Sequence, residues 1–202
     1  MDKKEKMKWL GILLCFHVAS FVVWLMGYLP LLHRLCEWGQ ILMTIGMVLC
    51  LFKISPIDRC YQLAAVLKAI LLIRPVFYAL LPDTALVSMV QWEYYGVVAS
   101  VVGCAVLILS WAATYLEYRA HGGLTAERNP KLAQNWKMLF IGSLCFALLG
   151  TAASWAAARL YGLLEMGIAL VNVVHYGVQI GSRVFSVIYI YLLYKTIQLI
   201  KE

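Results

Sequence analysis

The sequence predicts an all-α polytopic membrane protein: a single domain of residues 1–202 folded as a bundle of six transmembrane helices, with N- and C-termini both cytoplasmic. Three observations predict it. Hydrophobic residues make up 63% of the 202 residues and charged residues 13%, against about 25% charged in an average soluble domain, so more apolar surface is present than a water-facing fold can hide. The apolar residues fall into six blocks near the roughly 20 residues that a helix needs to cross the hydrocarbon core. The basic residues lie almost entirely in alternate connections, as the retention of positive charge in the cytoplasm requires.

The blocks run in order. Residues 9–32 follow Lys3, Lys4, Lys6 and Lys8. That opening resembles a signal peptide, but the apolar run is too long and lacks a small-residue cleavage site, so it reads as a retained first helix. Residues 35–54 stop at Ser55-Pro56. Residues 61–81 are interrupted by Lys68 and by Arg74 before Pro75, which removes a backbone donor and kinks a helix. A broken or interfacial helix is the alternative there. It is read as a span, because deleting it would put the basic connection from Arg119 to Lys137 on the wrong side. Residues 94–116 lead into a cytoplasmic loop, 117–135, in which Gly122-Gly123 is a stop signal. Asn129 as N-cap with Pro130 at the first helical position announces the helix containing 136–158. Residues 166–197 form the last block, whose end leaves Lys195 and Lys201 on the basic side. Counted by side, twelve Lys and Arg face two, Arg34 and Arg159. That split is consistent with an even number of spans and two cytoplasmic ends.

Several classes are excluded. The net charge of +7 is dispersed between apolar blocks and forms no stripe interleaved with aromatics, so nucleic acid is not an expected partner. Cys15, Cys36, Cys50, Cys60, Cys104 and Cys145 contain no CxxC pair and read as small hydrophobes. Glu117 and His121 at i and i+4 lack a second His or Cys cluster, so no metal site is expected and the pair reads as solvated or partner-docking. His17 and His175 lie at opposite estimated depths, about 12 Å from one side and about 13 Å from the other, which argues against a shared haem. No cofactor is expected, and no hydrolase, kinase, Walker or HExxH pattern names a catalytic residue. A lipid-modifying enzyme using His175 or Glu37 lacks paired catalytic groups.

Polar groups at membrane depth are candidates for function. In the last block Asn172, His175, Gln179, Ser182, Arg183 and Ser186 recur at helical spacing, and in the second Glu37, Gln40 and Thr44 do the same. With Arg74 they share a level in the outer half of the bilayer, where Trp92 and Glu93 of the outer connection would form a lid. One reading is a ligand cavity in which Arg74 holds an anionic group; the other is that Arg74 pairs with Glu37 and the amides and imidazole bond neighbouring helices. Candidate partner surfaces are the row Gly11, Cys15, Ala19 and Gly27 on the first helix, and Arg128, Lys131 and Trp136 at the cytoplasmic end.

These features favour a small transport or ligand-capture subunit of a cell membrane, bacterial inner or plasma, binding a polar and possibly anionic small molecule or ion with a protein partner or as a homo-oligomer. The alternative is a non-catalytic sensor or scaffold acting through the 117–135 loop and the Lys195–Glu202 tail. In topology, size and outward cavity the chain resembles the substrate-binding S component of energy-coupling factor vitamin importers. The resemblance is of architecture alone: no motif aligns, and Gly11, Cys15 and Ala19 stand where that family presents an alanine pair.

Overall fold

The computed structural model describes residues 2–29, 32–80, 95–164 and 167–202. They form α1 (Lys3–Met26), α2 (His33–Ile54), α3 (Arg59–Leu71), α4 (Ile73–Leu80), α5 (Tyr95–Ala126), α6 (Pro130–Leu164) and α7 (Gly167–Lys201), with no strand among the described residues. Four helical stretches among them are long and apolar enough to cross a membrane: Lys3–Met26, Arg34–Ile54, Pro130–Ala153 and Tyr176–Lys201.

Local chemistry accounts for the boundaries. Asp58 caps α3 by accepting from the Cys60 amide at 2.8 Å. Asn129 Oδ1 accepts from the Leu132 amide at 3.0 Å, with Pro130 as the first residue of α6, which is the arrangement its spacing announces. The third block is two helices. A proline ring collides with the carbonyl four residues earlier, and for Pro75 that is Leu71, where α3 ends. The helix resumes with Val76 donating to Leu72 at 3.1 Å.

One boundary differs from expectation. Residues 117–135 are not a loop: α5 continues through Gly122-Gly123 to Ala126, and the turn before α6 is Glu127–Asn129. Glycine costs about 1 kcal/mol in a helix interior, but here packing outweighs propensity. A Cβ on Gly122 would lie 3.6 Å from the Ala133 carbonyl and 3.7 Å from the Trp136 side chain, so α5 and α6 approach closely at this point. Trp136 is correspondingly buried, with its indole N–H donating to Thr196 at 3.1 Å. It packs the interior and is not the exposed docking side chain the sequence suggests.

The helices follow one another around a closed ring, α1, α2, α3, α5, α6, α7 and back to α1, with α4 against α2 and α3. Lys3 Nζ donates to the Lys201 carbonyl at 3.0 Å, and Arg128 donates to the Leu199 carbonyl at 3.2 Å. Gly123 lies against Asp58. Both termini, the α2–α3 turn and the α5–α6 turn therefore share one end of the bundle. The largest buried side chains, among them Leu10, Leu13, Leu51, Ile54, Tyr61, Trp136 and Leu193, fill that half. The outer surface is inverted relative to a soluble protein: Leu149 is 71% and Leu35 69% exposed, whereas Glu117 is 1% and His121 0% exposed. Polar groups inside and apolar groups outside are what a lipid solvent selects.

Two glycines of this packing respond oppositely to the same change. Gly123→Ala, whose methyl group would meet Asp58 Oδ2 at 3.9 Å, an ordinary contact distance, is expected to raise stability by about 0.5–1 kcal/mol through helix propensity. Gly181→Ala would place a methyl group on the Phe146 ring and is expected to cost about 1–3 kcal/mol through overpacking. Thermal unfolding of the two variants in one detergent checks the pair of signs.

Candidate functional site

The ring has a charged axis. Glu117 and His121 sit one turn apart on α5, both buried. Lys68, nine residues into α3, donates from Nζ to Glu117 Oε2. The other carboxylate oxygen, Oε1, accepts from Tyr189 of α7 at 2.6 Å. His17 of α1 and His121 each bring Nε2 to 3.8 Å from the same oxygen, beyond hydrogen-bond length. Four elements, α1, α3, α5 and α7, thus converge on one carboxylate. The level is common to all: Lys68 stands about 13 Å above the start of α3, and Glu117 about 13 Å above the end of α5.

Counting donors fixes the direction of the bonds. The single Tyr189 proton goes to the ionised Glu117, so its oxygen accepts from His121 Nε2–H at 3.2 Å. His121 Nδ1 then accepts the Tyr61 hydroxyl proton at 2.8 Å. A directed chain runs Tyr61, His121, Tyr189, Glu117, and each of its polar atoms is satisfied. The His121 ring stacks on Trp136 with centroids 4.7 Å apart, which holds it in that orientation.

The opposite side of the carboxylate is open. A cavity of about 270 Å³ has His17, Lys68, Glu117 and Tyr189 on its charged side. His17, its ring tilted against that of Tyr189 with centroids 4.2 Å apart, leaves its buried Nε2 without a hydrogen-bond partner among the described residues. Thr114, Ser143, Ser182 and Ser186 form part of the wall, together with Trp111, Phe140 and Phe185. The arrangement suits a small molecule carrying a charged or strongly polar group. It does not suit a metal ion, since the Lys68 ammonium occupies the carboxylate and both His121 nitrogens are engaged.

The residues singled out from sequence divide. Ser182 and Ser186, members of the α7 stripe, line the cavity, and one further turn along that face leads to Tyr189. Gln40 and Gln179 are interhelical bonds. Ser20 donates to Gln40 Oε1 at 2.7 Å while Gln40 Nε2 donates to the Ser20 carbonyl at 2.6 Å, and Tyr28 donates to Gln179 at 3.3 Å. Arg183 lies over the Trp24 ring, 4.2 Å from its centroid. Arg74 and Glu37 are exposed and are not among the residues lining the cavity. The side chains of Asn172 and His175, and Trp92 and Glu93 altogether, lie outside the described residues. On α1, Cys15 is exposed, Ala19 half-buried, and Gly11 has open space beside it, while Gly27 packs toward Cys36 of α2. Lys131 is exposed.

The reading of Glu117 and His121 as solvated is overturned by their burial. From sequence, Lys68 stands only as an interruption of the third apolar block, with no partner assigned to it. The signal available was the need of any cation buried in a span for an acid on another element, and Glu117 was set aside because it followed the last apolar residue of its block.

No family model, curated protein or solved structure matches the chain. The site therefore stands on its own geometry.

Removing one member of a buried pair leaves the other uncompensated, at a cost of about 3–5 kcal/mol. Lys68→Met is expected to destabilise by that amount, and adding Glu117→Gln to it is expected to restore much of the loss. A thermal-shift comparison of single and double variants checks this; a double variant no more stable than Lys68→Met would show that the pair is not the source of the effect.

Proposed function

We propose that this chain is a six-span membrane protein, both termini cytoplasmic, that captures or transports a small polar molecule in the axial cavity beside Lys68 and Glu117. One observation carries the reading: a cavity with hydroxyl and charged walls lies at the centre of a ring whose outside is apolar. Ligand pockets of this kind commonly form between the helices of bundles, and intramembrane ionisable groups mark pathways for substrates and ions. The reading moves the ligand from the outer half of the bilayer to its middle, since the charged level is about 13 Å from the helix ends bearing the basic residues.

The basic residues support the orientation. The end where α1 begins and α7 finishes also carries Lys53, Arg59, Arg128 and Lys131, and positive charge near helix ends is retained in the cytoplasm. α3 with α4, and α5, supply the two spans beyond the four long apolar helices. In this reading Gly11 and Cys15, on an open face of α1, are where the helix of a partner subunit would approach. The sensor alternative drew on a soluble 117–135 loop and on the Lys195–Glu202 tail, and the first of these is a short turn, Glu127–Asn129, between two helices.

Native mass spectrometry of protein extracted gently from its own membrane tests the function. The expected result is a stoichiometric small ligand on the unaltered chain. Ser186→Trp, which fills the cavity, is expected to lose it while elution and unfolding temperature stay unchanged. A ligand-free chain, or equal occupancy in both proteins, would overturn the reading.

A further inference from the structure

The charge balance of the site constrains what enters it and what must enter with it, an inference that rests on the cavity being a ligand site. With both imidazoles neutral, Lys68 and Glu117 cancel. A lone anion would leave one uncompensated buried charge, which is costly in low dielectric, so a proton has to accompany it. The groups facing His17 are Glu117 and His121 from α5, Lys68 from α3, and the Tyr189 ring from α7. Among the described residues α2 presents no titratable group to it.

The two imidazoles are not equivalent as proton carriers. His121 has both nitrogens engaged, one by Tyr61 and one by Tyr189, and it does not line the cavity. His17 lines the cavity with Nε2 buried and unpartnered. Lys68 has three N–H bonds and, among the described residues, uses one of them, on Glu117. Unspent hydrogen-bonding capacity on the charged side thus belongs to Lys68 Nζ and His17 Nε2, adjacent donors for one carboxylate.

The rest of the cavity describes the body of the ligand. The hydroxyls of Thr114, Ser143, Ser182 and Ser186 each donate to a backbone carbonyl of their own helix, and the rings of Trp111, Phe140 and Phe185 complete the wall. A cavity of about 270 Å³ admits a small organic molecule rather than a single ion.

We propose that the cavity binds a small monocarboxylate with an apolar, preferably aromatic, body together with one proton. The carboxylate accepts from Lys68 Nζ and from His17 Nε2–H, and His17 carries the proton taken up. No carbon bond forms or breaks. The ligand's negative charge is matched by the new imidazolium, so the loaded site is as neutral as the empty one.

Benzoate, fully ionised near neutral pH, is the probe. Isothermal titration calorimetry of the full chain in detergent, in two buffers of different ionisation enthalpy, is expected to show uptake of about one proton per benzoate bound. The affinity is expected to fall about tenfold per pH unit above neutrality. His17→Gln is expected to bind benzoate at least tenfold more weakly near pH 6, without proton uptake and without that slope. Binding by the unaltered chain with no proton uptake overturns the proposal, as does a folded His17→Gln that retains both uptake and slope. Should His17→Gln fail to fold, the two-buffer measurement on the unaltered chain decides alone. If benzoate does not bind but Ser186→Trp still strips a native ligand, the carboxylate proposal falls and the cavity reading stands; if neither is seen, both fall.

Discussion

The fold turns on one ion pair, between the part-buried Lys68 and the fully buried Glu117. Neither residue is stable there without the other, because a bare ammonium or carboxylate in a low dielectric costs several kcal/mol even after relaxation. The pair therefore ties α3 to α5, helices separated in the chain by α4 and the connection after it. Once α5 is at α3, the other carboxylate oxygen needs its own donor, and Tyr189 brings α7. The His17 ring then packs at a tilt against Tyr189 and brings α1. The remaining helices enter through apolar contact: α2 with Cys50, Leu51 and Ile54, α6 with Trp136 and Leu139.

The two sides of that carboxylate have different characters. On one side the chain Tyr61, His121, Tyr189, Glu117 is complete, flanked by the Trp136–Thr196 bond and the His121–Trp136 stack. A satisfied polar network of this kind rigidifies a core and specifies its arrangement. On the other side the same carboxylate and its ammonium face a cavity, with one imidazole nitrogen unpartnered. Stability and the proposed ligand chemistry draw on the same residues but on opposite faces of them. Contacts farther from this level, Ser20 with Gln40, Tyr28 with Gln179, and Arg183 over Trp24, hold α1 to its neighbours α2 and α7 around the ring.

Much of the scaffold was legible in the amino-acid sequence. Apolar blocks located the helices, Asn129-Pro130 the start of α6, and Pro75 the break between α3 and α4, because each depends on chemistry within a few residues. The α7 stripe was legible as a face, and Ser182 and Ser186 of that face line the cavity. Pairing across the ring was not legible. Spacing states the depth and face of Lys68, Arg74, Glu37 and Glu117, but not which helix stands opposite, and more than one cation–acid pairing satisfies the same depths. Gly122-Gly123 misled for a related reason: their helix-breaking tendency is local, whereas the close approach of Ala133 and Trp136 that outweighs it belongs to α6. With α5 ended too early, Glu117 and His121 were assigned to water.

Neutrality is the thread joining fold to chemistry. A bundle in lipid can hold ionised groups at its axis when their charges cancel within hydrogen-bond reach, and the Lys68–Glu117 pair meets that condition with no net charge to spare. In the proposed function the same condition governs a guest, since the guest sits against the same two charged residues. A carboxylate entering with a proton on His17 leaves the total unchanged. A transmembrane potential does work only on net charge, at about 2.3 kcal/mol per elementary charge per 100 mV. A site that loads without changing its charge is therefore indifferent to that potential and responds to the gradients of its ligand and of protons. In the proposed function, the constraint that makes Lys68 and Glu117 inseparable in the folded chain thus also dictates which forces act on the ligand.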